Sequence, residues 1–310
     1  MPTRRLAQLW VGSALACVIS QGEAAAIDFQ TLVMPGPVAA AHADRLVDTA
    51  GTGGGLVTTF NISTAAALVT AGAGVPVAKH GNRSFTSRCG SADVLEALGV
   101  EIQLTPERMG EVLEEAGIVF MFAPLLHPAM RHVGPVRRAL GIATIMNILG
   151  PLTNPAGARR QVIGVADPAL LDLIPDALRE LGHLRALVVH GEPGMDEISP
   201  VGPTRVVELR EGELRAYEIT PEDLGVEPAD LPGLAGGDPE RNAEIIEAVL
   251  AGEPGPARSG VVVNAAAALW VGGAADDLRS AARLAEASLD EGRAAAALDR
   301  LKSATQTRRG

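Results

Sequence analysis

The 310-residue chain sets 26 Lys and Arg against 37 Asp and Glu, a formal charge of −11, and is 47% hydrophobic but only 3% aromatic. That length provides a substantial core in one large domain or two modest ones, excluding a disulfide-stapled miniprotein or a disordered tail. The acidic balance excludes a broad basic footprint for nucleic acid or anionic lipid, so any bound phosphate is held locally.

In chain order, Arg4 and Arg5 precede an apolar run from Leu6 to Ile19 and then Ala24-Ala25-Ala26, the form of a secretory signal. The run is shorter than the ~20 residues of a bilayer-spanning helix, so no membrane anchor is expected. The only cysteines, Cys17 and Cys89, give no disulfide framework and no zinc spacing, which fits a reducing compartment.

From Asp44 onward, short apolar runs alternate with helix-like segments, the pattern of an α/β protein with a mostly parallel sheet flanked by helices. Strands are expected near Val75–Lys79, Ile118–Phe122, Gln161–Val165, Ala186–His190 and Arg205–Leu209. Ser91 is expected to cap a helix over Ala92–Leu98, and Thr105-Pro106 to open one with Met109, Val112, Leu113 and Ala116 on a single face. Thr220 to Asp238 reads as a loop or edge excursion, and Ala275 to Leu301 as one long amphipathic helix. A core of Ala, Val, Leu and Gly favours close helix–sheet packing.

Four segments carry chemistry. Asp48-Thr49-Ala50-Gly51-Thr52-Gly53-Gly54-Gly55, followed by Asn61-Ile62-Ser63-Thr64 at the start of an Ala-rich helix, sets backbone N–H groups and a helix N-terminus close together, as anion binding requires. Either element alone is also an ordinary turn or cap. Lys79-His80-Gly81-Asn82-Arg83-Ser84 crowds polar groups at a strand end, where α/β sheets present their sites. Asp196-Glu197, in a turn after a strand, is a carboxylate pair suited to a hard cation with phosphate oxygens, or simply a solvated turn. The fourth segment runs from His127-Pro128-Ala129-Met130 through Arg137, whose fork suits a carboxylate, to Asn147-Ile148-Leu149-Gly150-Pro151-Leu152-Thr153-Asn154-Pro155.

In this order, from about Leu46 to Leu301, these segments resemble the anthranilate phosphoribosyltransferases. The related pyrimidine nucleoside phosphorylases share a Lys-His-Gly-like segment but not the Asn147–Pro155 run. The resemblance implies a small helical domain beside the α/β domain, here an atypical segment 1–45 and a body 46–310, with residues about 124–140 packing on the small domain. It implies transfer of the phosphoribosyl group of phosphoribosyl pyrophosphate to the amine of anthranilate, with Mg²⁺, in a cytoplasmic homodimer. By motif, Gly51, Thr52, Gly53, Gly54, Thr59, Asn61, Ser63, Thr64, Lys79 and Ser91 would bind the phosphoribosyl donor. Gly51, His80, Asn82, His127, Arg137 and Pro151 would line the anthranilate path. Asp196 and Glu197, with Ser63, would hold the metal.

Two features depart from the family pattern. Gly55 stands where the family has Asp, followed by Leu56-Val57-Thr58 in place of small flexible residues, so altered metal dependence is expected. The residues before Leu46 do not follow the order of the family's small-domain helices, which is read as a mis-set or truncated start rather than an export signal. A non-catalytic ligand-binding paralogue and a nucleoside phosphorylase-like enzyme are the competing readings.

Overall fold

The computed structural model describes residues 38–40, 43–84, 88–127 and 145–306. The expected small-domain segment 1–45 lies largely outside these, as do Arg137 and most of the 124–140 stretch.

Seven strands form one sheet: β1 (Val47–Gly51), β2 (Val77–Gly81), β3 (Ile118–Phe122), β4 (Arg160–Gly164), β5 (Arg185–Gly191), β6 (Thr204–Arg210) and β7 (Glu213–Ile219). Their spatial order is β3-β2-β1-β4-β5-β6-β7. The first five are parallel, while β6 and β7 add an antiparallel hairpin at one edge. The five runs read from the sequence match β2 to β6 within two residues; β1 and β7 are additions. Chain order reverses direction across the β1–β4 pair, and in open α/β sheets ligands bind beyond the carboxyl ends of strands at such a point.

The helices are α1 (Ile62–Gly72), α2 (Ser91–Ala97), α3 (Pro106–Ala116), α4 (Ala123–Leu126), α5 (Ile145–Leu149), α6 (Ile174–Glu180), α7 (Pro239–Leu250), α8 (Pro256–Gly272), α9 (Leu278–Asp290) and α10 (Arg293–Thr305). Helices α1 and α8 are apolar and buried over nearly their whole length, as central helices must be. Their alanines let backbones approach closely: a Cβ on Gly72 would stand 2.7 Å from the Ala294 backbone nitrogen. This is the small-aliphatic packing the composition favours.

Three local expectations are corrected. Ser91 is the first residue of α2 rather than its cap; Gly90 occupies the cap and its N–H donates to Asp93 Oδ2 at 2.9 Å. The long C-terminal helix is two, α9 and α10, because Gly292 turns left-handed at φ 69° between them. Thr220 to Asp238 holds two short 3₁₀ turns, Pro221–Leu224 and Pro232–Leu234. Among the described residues no helix is long and apolar enough to cross a membrane.

Candidate functional site

The carboxyl ends of β1, β2, β4 and β5 bring three of the four segments together. After β1 the chain turns through Gly53 and Gly54, at φ 68° and 78°, conformations that strain any residue with a Cβ. Thr52 anchors this loop to β4: its N–H donates to Gly164 O at 2.9 Å and its hydroxyl accepts the Ala166 N–H at 3.1 Å. Asn147, in α5, donates to Thr52 O at 3.1 Å, so the Asn147–Pro155 run braces the glycine loop.

The turn after β5 lies directly against that loop. A Cβ on Gly51 would come within 2.5 Å of Asp196 Oδ2, and one on Gly164 within 1.7 Å of the Asp196 carbonyl, so both glycines are required by contact. The Gly53 N–H donates to Asp196 Oδ2 at 2.8 Å. Asn264, buried in α8, fixes the far side of the turn by accepting the Ile198 N–H and donating to the Ile198 carbonyl, both at 2.9 Å. Burial raises the Asp196 affinity for protons; the Gly53 N–H opposes it. Burial also pushes Glu197 up, to about 8, reinforced by Asp196 and opposed by Lys79 and the Ser63 N–H.

Glu197 therefore sits at the N-terminus of α1, where Ser63 donates its backbone N–H to the carboxylate. Lys79, 3% exposed, extends from β2 under the same helix end. Its Nζ donates to the Thr49 carbonyl, to Thr49 Oγ1 at 3.2 Å and to Ser63 Oγ at 3.3 Å. Burial lowers its proton affinity, and Asp48 and Glu197 hold it up. Two neighbouring carboxylates, Asp196 adding to the cost of ionising Glu197, beside the Ser63 hydroxyl fit a divalent cation sharing phosphate oxygens.

On the other side of β2, the His80 ring reads out its own tautomer. Nδ1 lies 3.2 Å from the Gly150 carbonyl, which only accepts, so Nδ1 carries the proton. Burial, reinforced by the His127 ring, lowers the ring's affinity to about 3, so it is neutral and Nε2 is an acceptor. His127 Nε2, 3.2 Å away, is then the donor, and the rings meet edge to face at 5.1 Å between centroids. Asn82 folds back to accept the Arg83 N–H at 2.7 Å. Pro151 is buried, its carbonyl accepting from Gln161 Nε2 at 2.8 Å.

The remaining predicted residues are less direct. Thr64 is 1% exposed and its buried hydroxyl has no partner, so this side chain points into the core rather than the cleft. Asn61 caps α1 without a side-chain cap bond; instead its amide donates to Cys89 O at 3.3 Å and accepts from Asn242 Nδ2 at 2.8 Å. Thr59 bridges to Ala235, and Ser91 sits 3.4 Å from where a Gly81 Cβ would be. The sequence places Asp48 at the head of the glycine segment without a role of its own, and Gln161, Asn242 and Asn264 carry none. For Asp48 and Asn264 the available signal was a polar residue inside an apolar run.

Residues 43–295 match the family described as glycosyl transferase family, a/b domain. A curated anthranilate phosphoribosyltransferase of Desulfatibacillum aliphaticivorans is 52% identical over 263 residues, 85% of this chain and 78% of its own. Another, from Rubrobacter xylanophilus, is 55% identical over 258 residues, 83% of this chain and 75% of its own. The crystal structure of anthranilate phosphoribosyltransferase from Thermus thermophilus superposes with a TM-score of 0.82 at 47% identity, covering 87% of this chain and 80% of that one. The Saccharomyces cerevisiae enzyme in complex with PRPP and Mg gives 0.78 at 28% identity, covering 89% and 76%.

Proposed function

The chain belongs to the anthranilate phosphoribosyltransferase family, and from that membership we propose how its residues divide the reaction. The activity is transfer of the phosphoribosyl group of phosphoribosyl pyrophosphate to the amine of anthranilate, forming N-(5-phosphoribosyl)anthranilate and pyrophosphate in tryptophan biosynthesis. The carrying observation is the convergence of the glycine loop, the α1 N-terminus, Lys79 Nζ and the Asp196-Glu197 turn on one point.

In this reading Gly51 to Gly54, Asn61, Ser63, Lys79, Thr59 and Ser91 form the donor side, with Thr64 packed behind it in the core. The loop N–H groups and Lys79 stabilise charge on the departing pyrophosphate as its bond to the anomeric carbon breaks. Asp196, Glu197 and the Ser63 hydroxyl would hold Mg²⁺, which when bound neutralises the same charge. The Mg in the yeast complex supports this assignment. An arylamine is already neutral and nucleophilic near pH 7, so no strong base is needed. What the acceptor side supplies is alignment: His80, Asn82, His127, Pro151 and Gly51 line the path, and Arg137 grips the carboxylate. The reading extends to a homodimer in the cytoplasm, where the donor substrate is made, with residues 46–310 as the catalytic body.

Loss of anthranilate fluorescence on mixing with phosphoribosyl pyrophosphate and Mg²⁺ tests the activity. Turnover is expected; none from the well-folded chain favours the ligand-binding paralogue, and phosphorolysis of thymidine or uridine the phosphorylase. Arg137→Ala is expected to raise the KM for anthranilate far more than that for the donor, and unchanged anthranilate dependence removes Arg137 from the site.

A further inference from the structure

Strands β1 and β2 pair in register only at Val47 and Val77, although each runs four residues further. Beyond that point side chains replace the ladder. The Thr49 carbonyl receives Lys79 Nζ, and the His80 N–H donates not to a strand carbonyl but to Asp48 Oδ1 at 3.1 Å. Asp48 is fully buried, and its other oxygen accepts from Asn154 Nδ2 at 2.8 Å and Gln161 Nε2 at 3.2 Å.

Each partner continues to a wall of the acceptor side. His80 carries the ring locked on Gly150. Gln161, paired with Asp48 across β1 and β4, uses its second N–H on the Pro151 carbonyl. That 2.8 Å contact must be N–H to carbonyl, which fixes the amide orientation and leaves Gln161 Oε1 buried without a partner. Tolerating an orphan acceptor, which costs of order 1 kcal/mol or more, marks the Asp48 and Pro151 contacts as the ones being kept. Asn154 closes the set: it donates to the Ala78 carbonyl while accepting the N–H groups of Ala156 and Ala158, at 2.9, 3.0 and 3.3 Å.

We propose that Asp48 is a positioning residue for the acceptor substrate: one buried carboxylate that sets the His80 backbone and the Pro151 carbonyl in register where β1 and β2 part. The inference rests on the assignment of His80 and Pro151 to the anthranilate path. It adds a residue that touches no substrate and whose hydrogen bonds all run to the acceptor side, although its charge also holds up the proton affinity of Lys79.

Asp48→Asn keeps the volume but offers one acceptor where three donors converge, so at least one N–H loses its partner. The expected result is a rise of roughly tenfold or more in the KM for anthranilate, well above the rise in the KM for phosphoribosyl pyrophosphate that follows from the lost Asp48–Lys79 attraction. Gln161→Leu frees the Pro151 carbonyl and removes one of the three donors to Asp48 together with the orphan oxygen, while keeping the Asp48 charge beside Lys79; it is expected to raise the anthranilate KM alone by a few-fold. Nitrogen NMR of labelled histidine, with His80 assigned by loss of its signal in His80→Gln, gives a readout independent of turnover. The protonated Nδ1 signature of His80 should shift in Asp48→Asn. Equal changes in both KM values, or an unmoved His80 signal, overturn the proposal. A wild-type chain that does not consume anthranilate overturns the functional reading instead, and the His80 signal then decides the positioning claim alone.

Discussion

The two sides of β2 solve opposite electrostatic problems. On the donor side, Lys79, Asp196 and Glu197 are charged groups brought close with burial working against each of them. Burial outweighs the compensating partners of each, so the side favours a ligand that brings charge of its own. On the acceptor side the polar groups, Gln161 Oε1 apart, are satisfied within the protein: Gly150 locks His80, His80 orients His127, and Asp48 is consumed by three N–H donors. In the proposed division, the first side takes polyphosphate and metal, and the second presents the neutral His80 and His127 rings to a flat aromatic acid. Loose ends and satisfied ends are therefore informative in themselves.

The strongest way to break this contrast is Lys79→Met. Removing the ammonium strips the donor side of its one buried cation while leaving Thr49 O, Ser63 Oγ and Glu197 behind. A fall in kcat/KM of roughly a hundredfold or more is expected, carried mostly by the phosphoribosyl donor. A variant that lost anthranilate affinity instead would show that Lys79 serves the other wall.

Acidity separates the two sides by sign. Glu197 is raised from its ordinary 4.5 to about 8 by burial and then by Asp196, so the folded state holds a proton that the unfolded chain has released. Without metal, its contribution to stability declines as pH rises from 4.5 to about 8, and Mg²⁺, which binds the carboxylate form, should flatten that slope. His80 is lowered from 6.5 to about 3 by burial and then by His127, so the unfolded chain takes up a proton that the folded state refuses. Its contribution is lost as pH falls from 6.5 toward 3. Tm against pH for wild type, Glu197→Gln and His80→Gln should show the first variant losing the neutral slope and the second the acid one. A single slope common to all three would mean that the two sides titrate as one unit.

How much of this was legible in the sequence follows the same division. The donor side could be read because its chemistry is written in contiguous segments: the glycines of 51–55, the helix start at 61–64 and the Asp196-Glu197 turn. The sheet was legible where strands are apolar, as in Ile118–Phe122, found at its observed limits. β1 was missed because Asp48 and Thr49 break its apolar run, and those polar residues are what the site needs there. The brace of the acceptor wall was illegible for a further reason: Asp48, Asn154 and Gln161 meet only after β1 and β4 pair, across separations that no local spacing reveals. Asn242 and Asn264 were hidden in the same way, as buried helix residues whose tertiary partners lie far along the chain.

The smallest expected effect sharpens the donor side at its edge. Gly55 faces the Asp196 turn: a Cβ there would stand 2.9 Å from the Gly194 carbonyl and 3.7 Å from Asp196 Oδ1. The next residue holds that arrangement, since the Leu56 N–H donates to the same Gly194 carbonyl at 3.2 Å and its side chain, 90% exposed, lies over Gly194. Gly55→Asp, which restores the family residue, must therefore move either the loop or the turn, and a stability loss of order 1 kcal/mol is expected. The new carboxylate would join a pair that already raises its own proton affinity, so a shifted Mg²⁺ dependence is expected, with the KM for anthranilate unmoved. Titrating activity against Mg²⁺ in both proteins checks this. Coincident curves would mean that the missing Asp is immaterial to the metal, whereas a changed anthranilate KM would mean that the loop reaches across β2 and the two sides are less separate than their hydrogen bonds make them.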